Sequence, residues 1–312
     1  MSALTTEEAV AVRPVVGLIG LGSMGGGVAR SLLREGFSIR VCDVRPGVLA
    51  DFAALGALPC STPAQVAAGS QVLIVLVVNA DQTEAALFGQ DGAAAALPPG
   101  AVAILSATIA PDVAERFGER LGELGILMLD APVSGGAAKA ASGEMTIMAS
   151  GTPAAFAACE AVLTAIAARV YRLGDAPGQG SKVKMINQLL AGVHIAAAAE
   201  AMALGIKAGA DPQALFEVIS NSAGSSWMFQ NRVPHILAGD YTPLSAVNIF
   251  IKDLGIVLDT ARKYPFPLPL TSAAHQMYLA TSARGYGAED DSAVIKMFQA
   301  LTGIDLPAGA GR

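Results

Sequence analysis

Three stretches of this chain place reactive residue types at spacings that suit proton transfer and anion binding. Lys184, Asn187 and Gln188 stand at i, i+3 and i+4 in the run GQGSKVKMINQ (178–188), so they share one face of a helix. A lysine set among amides and the apolar Val183, Met185 and Ile186 is placed to lose its water. Burial lowers an amine's pKa toward the range where it takes or gives a proton near neutrality. Lowering it by ~3 units costs ~4 kcal/mol, so the surroundings must hold such a group. Taken alone, Lys184 reads first as a solvated helix lysine, as Lys182 nearby does. In Asp130-Ala-Pro-Val-Ser134-Gly135-Gly136, the serine offers a hydroxyl and the glycines can turn backbone N–H groups toward an anion, for which a carboxylate is a natural guest. Lys252-Asp253 is either a surface pair or a lysine reaching a bound cofactor; spacing leaves both open.

A fourth stretch supplies the cofactor. The apolar run Val15–Ile19 breaks into Gly20-Leu21-Gly22-Ser23-Met24-Gly25, and a helix-like segment follows with Val28, Leu32 and Leu33 at helical spacing. A second apolar run, Phe37–Cys42, ends in Asp43. Strand, glycine turn, helix, strand and acid come in the order of a dinucleotide-binding βαβ unit. Gly20 permits the turn, Gly22 lets backbone approach a pyrophosphate, and Gly25 lets helix pack on strand, while the helix N-terminus offers N–H groups to the phosphates. Asp43 is placed to accept hydrogen bonds from the ribose hydroxyls and to repel a 2′-phosphate, which points to NAD. Arg45 pulls the other way, because an arginine there can hold that phosphate.

These residues need elements to position them. The run VLIVLVV (72–78) is continuously apolar, as expected of a strand covered on both faces, and 101–105 and 126–129 are similar. Residues 145–149 and 169–173 predict further strands, antiparallel at the sheet edge. Helices are predicted over 64–68, 83–87, 111–124 and 153–167, and alternating strand and helix imply a parallel, doubly wound sheet. After Gly174 the pattern changes: the break Asp175-Ala-Pro-Gly-Gln-Gly180 leads into a helix over 181–208 rich in small residues, then into almost continuous helix. Asp211-Pro212 reads as a cap followed by proline, and Thr271 as the cap of a later helix. The expected class is α/β: an N-terminal Rossmann-type doubly wound sheet followed by an all-α C-terminal domain linked by a long helix. The expected domains are a flexible tail over 1–13, an NAD-binding domain over 14–176, a helical substrate and dimerisation domain over 177–303, and a flexible tail over 304–312.

Composition narrows the function. The chain has 312 residues, is 53% apolar and carries a net charge of −6, without a basic stripe interleaved with aromatics, which argues against a nucleic-acid partner. Cys42, Cys60 and Cys159 form no paired motif and suit a reducing, cytoplasmic setting. The three histidines lie far apart, so no metal site is expected. No signal peptide is visible, and the apolar stretch 189–206 contains His194 and Glu200, so it reads as a buried helix and not as a membrane span.

The chain resembles the β-hydroxyacid dehydrogenases, which include 3-hydroxyisobutyrate dehydrogenase and tartronate semialdehyde reductase. The likeness spans about Val15 to Phe298 and rests on GLIGLGSMG (17–25), SATIAP (106–111), DAPVSGG (130–136), GEMTIMASG (143–151), GQGSKVKMINQ (178–188) and KDLG (252–255), in order. It implies Lys184 as the catalytic acid/base, and Ser134, Gly135 and Gly136 as the carboxylate site. It implies cofactor contacts from Gly20, Leu21, Gly22, Ser23, Met24, Gly25, Asp43, Val78, Asn79, Thr108 and Lys252. Many members carry two asparagines at the third and fourth positions after the lysine; here they are Asn187 and Gln188, expected to orient a substrate hydroxyl, with contacts shifted by the longer glutamine. That pair and the wording of 189–205, 225–232, 239–247 and 286–296 most resemble members acting on a four-carbon sugar acid. The implied reaction is NAD-dependent oxidation of a small polyhydroxy carboxylic acid by a homodimer or homotetramer. The alternatives are a reductase or dehydrogenase of 3-hydroxyisobutyrate, tartronate semialdehyde or glyoxylate, and a non-catalytic dinucleotide-binding protein.

Overall fold

The computed structural model describes residues 13–307. It divides into two compact units, one holding the residues up to Ala107 with Glu115–Pro177, the other Thr108–Ala114 with the residues from Gly178 onward. Most of the two expected tails lies outside the described residues. Within them, Arg13 sets its guanidinium 4.9 Å over the Phe37 ring, and Ile304 is buried in the helical core, so ordered chain reaches further at both ends than expected.

The first unit is built on six parallel strands, β1 (Val16–Ile19), β2 (Ile39–Cys42), β3 (Leu58–Pro59), β4 (Val72–Val75), β5 (Val102–Leu105) and β6 (Leu127–Asp130), in the order β3-β2-β1-β4-β5-β6. This is the doubly wound order whose switch point lies beside β1. β1, β4 and β5 are buried at every residue, which is why they read as unbroken apolar runs rather than alternating ones. The unit's helices are α1 (Ser23–Arg34), α2 (Pro46–Ala54), α3 (Pro63–Ala67), α4 (Ala80–Phe88), α5 (Pro111–Glu123), α6 (Gly136–Ser142) and α7 (Pro153–Ile166), with the start of α5 grouped in the second unit. Residues 145–149 and 169–173 do not extend the main sheet as antiparallel edge strands. With β7 (Val133–Ser134), strands β8 (Met145–Ala149) and β9 (Ala167–Arg172) form a separate three-stranded sheet in which β8 and β9 run parallel. The two-residue strands β3 and β7 are too short for any periodicity to announce them.

The second unit is helical: α8 (Gln179–Lys207), α9 (Pro212–Ser220), α10 (Trp227–Ala238), α11 (Val247–Arg262), α12 (Pro269–Thr281) and α13 (Ile295–Thr302). α8 is long and apolar enough to cross a membrane by length and composition, yet Ile195, Ala198, Ala199, Met202 and Ala203 from it are packed in this unit's core with Phe229, Val233, Phe250, Leu254 and Tyr278. Asp211 caps α9 as expected, its carboxylate accepting from Ala214 N at 2.8 Å. Thr271 is no cap: α12 begins two residues earlier at Pro269, and Thr271 is buried inside its first turn. Proline's fixed φ starts that helix before the threonine can.

Two glycines set helix separations that matter below. A Cβ on Gly27 of α1 would lie 2.6 Å from the Ala140 Cβ and 2.8 Å from the Ala141 backbone nitrogen of α6. The helix that follows the dinucleotide loop and the helix that follows Ser134-Gly135-Gly136 therefore touch backbone to backbone. A Cβ on Gly192 of α8 would lie 2.9 Å from both Phe250 and Leu254 of α11.

Replacing a helical glycine by alanine ordinarily stabilises by about 0.4–1 kcal/mol. Gly122→Ala on the open face of α5, where an added Cβ meets nothing within 4 Å, should follow that rule. Gly27→Ala should instead destabilise by about 1–3 kcal/mol, because α6 backbone cannot yield. Denaturant melts of the two variants should move in opposite directions.

Candidate active site

In the first unit, Gly20 leaves β1 at φ +93°, a conformation that favours glycine. A Cβ there would meet the Leu76 carbonyl oxygen at 2.4 Å, and one on Gly25 would meet the Gly20 carbonyl oxygen at 1.9 Å. On Gly22 a Cβ would meet nothing within 4 Å. The first and third glycines are thus demanded by the protein's own packing, while the second faces open space. Gly22 is the N-cap of α1 and brings no side-chain cap, so the helix's first N–H groups are left for an anionic guest. Asp43, at the end of β2, accepts from Leu21 N at 2.7 Å and is tied to Arg45. The Arg45 hydrogen bonds, aided by the N–H groups of Leu21 and Arg45 against partial burial, hold its carboxyl at about 2. Open space beside Gly22, an uncapped helix start and an ionised acid on the loop's rim fit a dinucleotide with its pyrophosphate on α1 and a ribose on Asp43.

Other residues expected at the cofactor sit variously. Val78 is exposed, its N–H donating to Gln82 Oε1 at 3.0 Å. Asn79 caps α4, its Oδ1 accepting from Gln82 N at 2.8 Å. Ser134 ends β7 half-buried, and Gly135 and Gly136 follow at φ +131° and +77°, both in the region that favours glycine. Gly135 then precedes α6 with no side-chain cap, so no side chain caps the first N–H groups of that helix.

In the second unit, α8 and α11 bring together the reactive residues. Lys184 is 7% and Gln188 9% exposed. Lys184 Nζ donates to Gln188 Oε1 at 2.8 Å, Asn187 Nδ2 donates to the same oxygen at 3.0 Å, and Gln188 Nε2 donates to Asp253 Oδ2 at 2.6 Å. Lys252 Nζ donates to the Thr108 carbonyl at 3.0 Å. It lies 2.8 Å from Asp253 Oδ1, off the direction a hydrogen bond needs, so that contact is electrostatic. Of the two readings open for Lys252-Asp253, the surface pair is excluded, since Asp253 is 2% exposed. Both oxygen lone pairs of the Gln188 amide are occupied, so Gln188 is turned toward Lys184 and Asp253 instead of offering its oxygen to a further group. Asn187, half-buried, keeps its own oxygen clear of that pair.

Burial pushes the Lys184 amine down to about 8; the Asp253 carboxylate opposes the shift and the Lys252 ammonium adds to it. An amine at that value is part neutral and part charged near physiological pH, as proton exchange with an alcohol requires. Asp253 is the member of this group that sequence reasoning passed over as a functional residue. Its signal was an acid inside the apolar helix-like run VNIFIKDLGIVL.

The amine's depressed value is also a stability statement. Between about 8 and the usual 10.5 the folded chain binds fewer protons at Lys184 than the unfolded one. The cost of burying the charge is therefore full below pH 8 and fades above it. Lys184→Met should be more stable than the parent at pH 7, and that advantage should shrink by about 2–3 kcal/mol by pH 10. Denaturant melts of both proteins at the two pH values measure it.

Comparisons with known proteins bear on the fold and the reaction class. Residues 15–174 match the model described as the NAD binding domain of 6-phosphogluconate dehydrogenase, and residues 178–298 that described as NAD-binding of NADP-dependent 3-hydroxyisobutyrate dehydrogenase. An L-threonate dehydrogenase of Cupriavidus necator is 65% identical, over 95% of this chain and 98% of its own. One of Escherichia coli K12 is 52% identical, over 94% and 96%. The crystal structure of a 3-hydroxyisobutyrate dehydrogenase from Salmonella typhimurium superposes with a TM-score of 0.87 at 52% identity, covering 91% of this chain and all of that one. The names of relatives with nearly equal identity thus differ in substrate while agreeing in reaction class. With both halves matched and the relatives aligned almost end to end, the chain belongs to the β-hydroxyacid dehydrogenase family, that of 3-hydroxyisobutyrate dehydrogenase, as an NAD-dependent hydroxyacid dehydrogenase.

Proposed function

We propose that the protein oxidises L-threonate at C2 to 2-dehydro-L-erythronate in the cytoplasm, with Lys184 as acid/base. The observation that carries the chemistry is the buried Lys184 amine, pushed down to about 8 and aimed by Gln188 Oε1. The substrate reading rests on relatives at 50–65% identity that bear the name L-threonate dehydrogenase.

When bound, NAD supplies the hydride acceptor. Neutral Lys184 accepts the C2 hydroxyl proton as the hydride leaves C2, so the alcohol becomes a ketone and the amine an ammonium. The Ser134 hydroxyl and the N–H groups of Gly135 and Gly136 hold the substrate carboxylate. Asn187 orients a hydroxyl, and Gln188 serves that contact by fixing Lys184 and Asn187 together. Gly20 to Gly25 and Asp43 hold the cofactor, with Val78, Asn79, Thr108 and Lys252 completing its site. Self-association as a homodimer or homotetramer uses the helical unit, where Val183, Ile186 and Leu190 form an exposed apolar stripe on α8 at 42%, 51% and 50% exposure. A second reading, oxidation of 3-hydroxyisobutyrate, is favoured by the name of the Salmonella relative.

Lys184→Ala should lose about 10²–10⁴-fold in kcat while binding NADH with unchanged affinity. Near-normal turnover in a folded variant overturns the mechanism. A panel of C3 to C6 hydroxy acids with NAD should give L-threonate the highest kcat/KM; a faster 3-hydroxyisobutyrate favours the second reading.

The parent's oxidation rate should rise with pH through about 8 and level off, because the neutral amine is the active form, and reduction should fall over the same range. Asp253 favours the charged amine, so Asp253→Asn should move the oxidation limb to lower pH. A limb that stays in place shows that the acid does not act through Lys184.

A further inference from the structure

The carboxylate expected to receive the ribose is already saturated by its own chain. A carboxylate offers about four acceptor positions. On Asp43, Oδ1 accepts from the Arg45 backbone N–H at 3.0 Å and from Arg45 Nε at 2.8 Å. Oδ2 accepts from Leu21 N–H at 2.7 Å and from Arg45 Nη2 at 3.0 Å. The Asp43 side chain is 7% exposed and the Arg45 side chain over it 55%. Two of the four donors are backbone groups, one in the glycine loop and one at the residue that caps α2, where Pro46 fixes the chain. The other two belong to the guanidinium, one on each oxygen. They match in number the two hydroxyls of a ribose diol.

We propose that Arg45 is a displaceable occupant of the ribose site and that it sets the cofactor selectivity. This rests on the reading of Asp43 as the ribose acceptor. NAD binds only as the guanidinium swings off both oxygens and the diol takes its two places. The backbone donors stay, so the carboxylate remains ionised and aimed throughout. The guanidinium half of this pair is 55% exposed, so it can move into solvent while the carboxylate stays in place. The released guanidinium stays tethered two residues from Asp43, and its planar fork suits a phosphate. Arg45 therefore acts twice in one direction: it competes with NAD and supplies a counter-charge to NADP. Preference for NAD is lower with Arg45 than the acid alone would give.

Binding of NADH and NADPH to the full chain, followed by the fluorescence of the reduced nicotinamide, tests this without turnover. Arg45→Ala should bind NADH about two- to five-fold more tightly, the size of an ion pair whose cation faces solvent, and NADPH at least ten-fold more weakly. Arg45→Lys keeps a charge but not the fork, so it should tighten NADH while retaining most NADPH affinity. Arg45→Ala protein that binds NADH no more tightly than the parent, or with the same NADPH-to-NADH ratio of Kd, overturns the proposal. A parent chain that binds neither dinucleotide removes the ribose reading along with it.

Discussion

A primary amine held away from water on a helix is the constraint around which the helical unit is arranged. The unfavourable desolvation that brings Lys184 down to about 8 must be met by packing that keeps water from most of the lysine, which is 7% exposed. α8 meets it with small residues. Gly192, one turn beyond Gln188, lets Phe250 and Leu254 of α11 approach to within 2.9 Å of where its Cβ would be. Tyr278 of α12 then donates its hydroxyl to the Gly192 carbonyl at 3.0 Å and stacks on Phe250 with ring centroids 5.3 Å apart. Three helices meet at one glycine, and the separation they set lets Gln188 reach Asp253. A buried polar group without such partners costs several kcal/mol, so the packing and the polar chain depend on each other.

The first unit handles charge by another means. Several of its helices begin with a side-chain cap, as Thr62, Asn79 and Thr152 do for α3, α4 and α7. α1 and α6 have glycine N-caps and so no side-chain cap. A capping serine or aspartate in place of these glycines would add a few tenths of a kcal/mol of stability, and it would also occupy the N–H groups that an anion needs. These two uncapped helices are pressed against each other at Gly27 and Ala140. The dinucleotide loop and the Ser134-Gly135-Gly136 turn therefore sit on one rigid pair of helices, and their spacing does not depend on loop conformation.

Much of this was legible in the residues. The βαβ order survives in sequence because each strand of a doubly covered sheet must be apolar throughout and each glycine of the loop is fixed by a backbone contact. Helical spacing put Lys184 on one face with Asn187 and Gln188, but a solvated lysine fits that spacing as well, and it was the family motif that singled Lys184 out. The separate sheet of β7, β8 and β9 was not, since parallel pairing of β8 with β9 is a long-range choice that no local pattern records. Nor was the role of Gln188: its partner Asp253 lies 65 residues away. In sequence Asp253 stands beside Lys252, so local spacing suggested an isolated pair. The saturation of Asp43 by Arg45 was hidden for the opposite reason. The two residues are almost adjacent, and only side-chain geometry shows that both guanidinium bonds are spent on one carboxylate.

Burial, opposed by the Asp253 carboxylate, sets the intermediate pKa of the Lys184 amine, and Gln188 stands between the two charges. A carboxylate in direct contact with Lys184 would hold it as an ammonium and destroy its use as a base, because opposite charges at hydrogen-bond distance strongly favour the ionised form. Without any acid nearby, burial alone would push the amine lower and destroy its use as an acid. Gln188 stands between these limits. Its Nε2 bonds the carboxylate at 2.6 Å and its Oε1 takes the amine at 2.8 Å, so the negative charge reaches Lys184 across an amide dipole. That dipole is polarised in the sense that stabilises the ammonium without pairing it. Shortening the side chain by one methylene, as an asparagine there would, removes the reach to Asp253 unless α11 moves inward, and Gly192 already has α8 and α11 as close as side chains permit. The longer amide is therefore what spans this helix pair from Lys184 to Asp253.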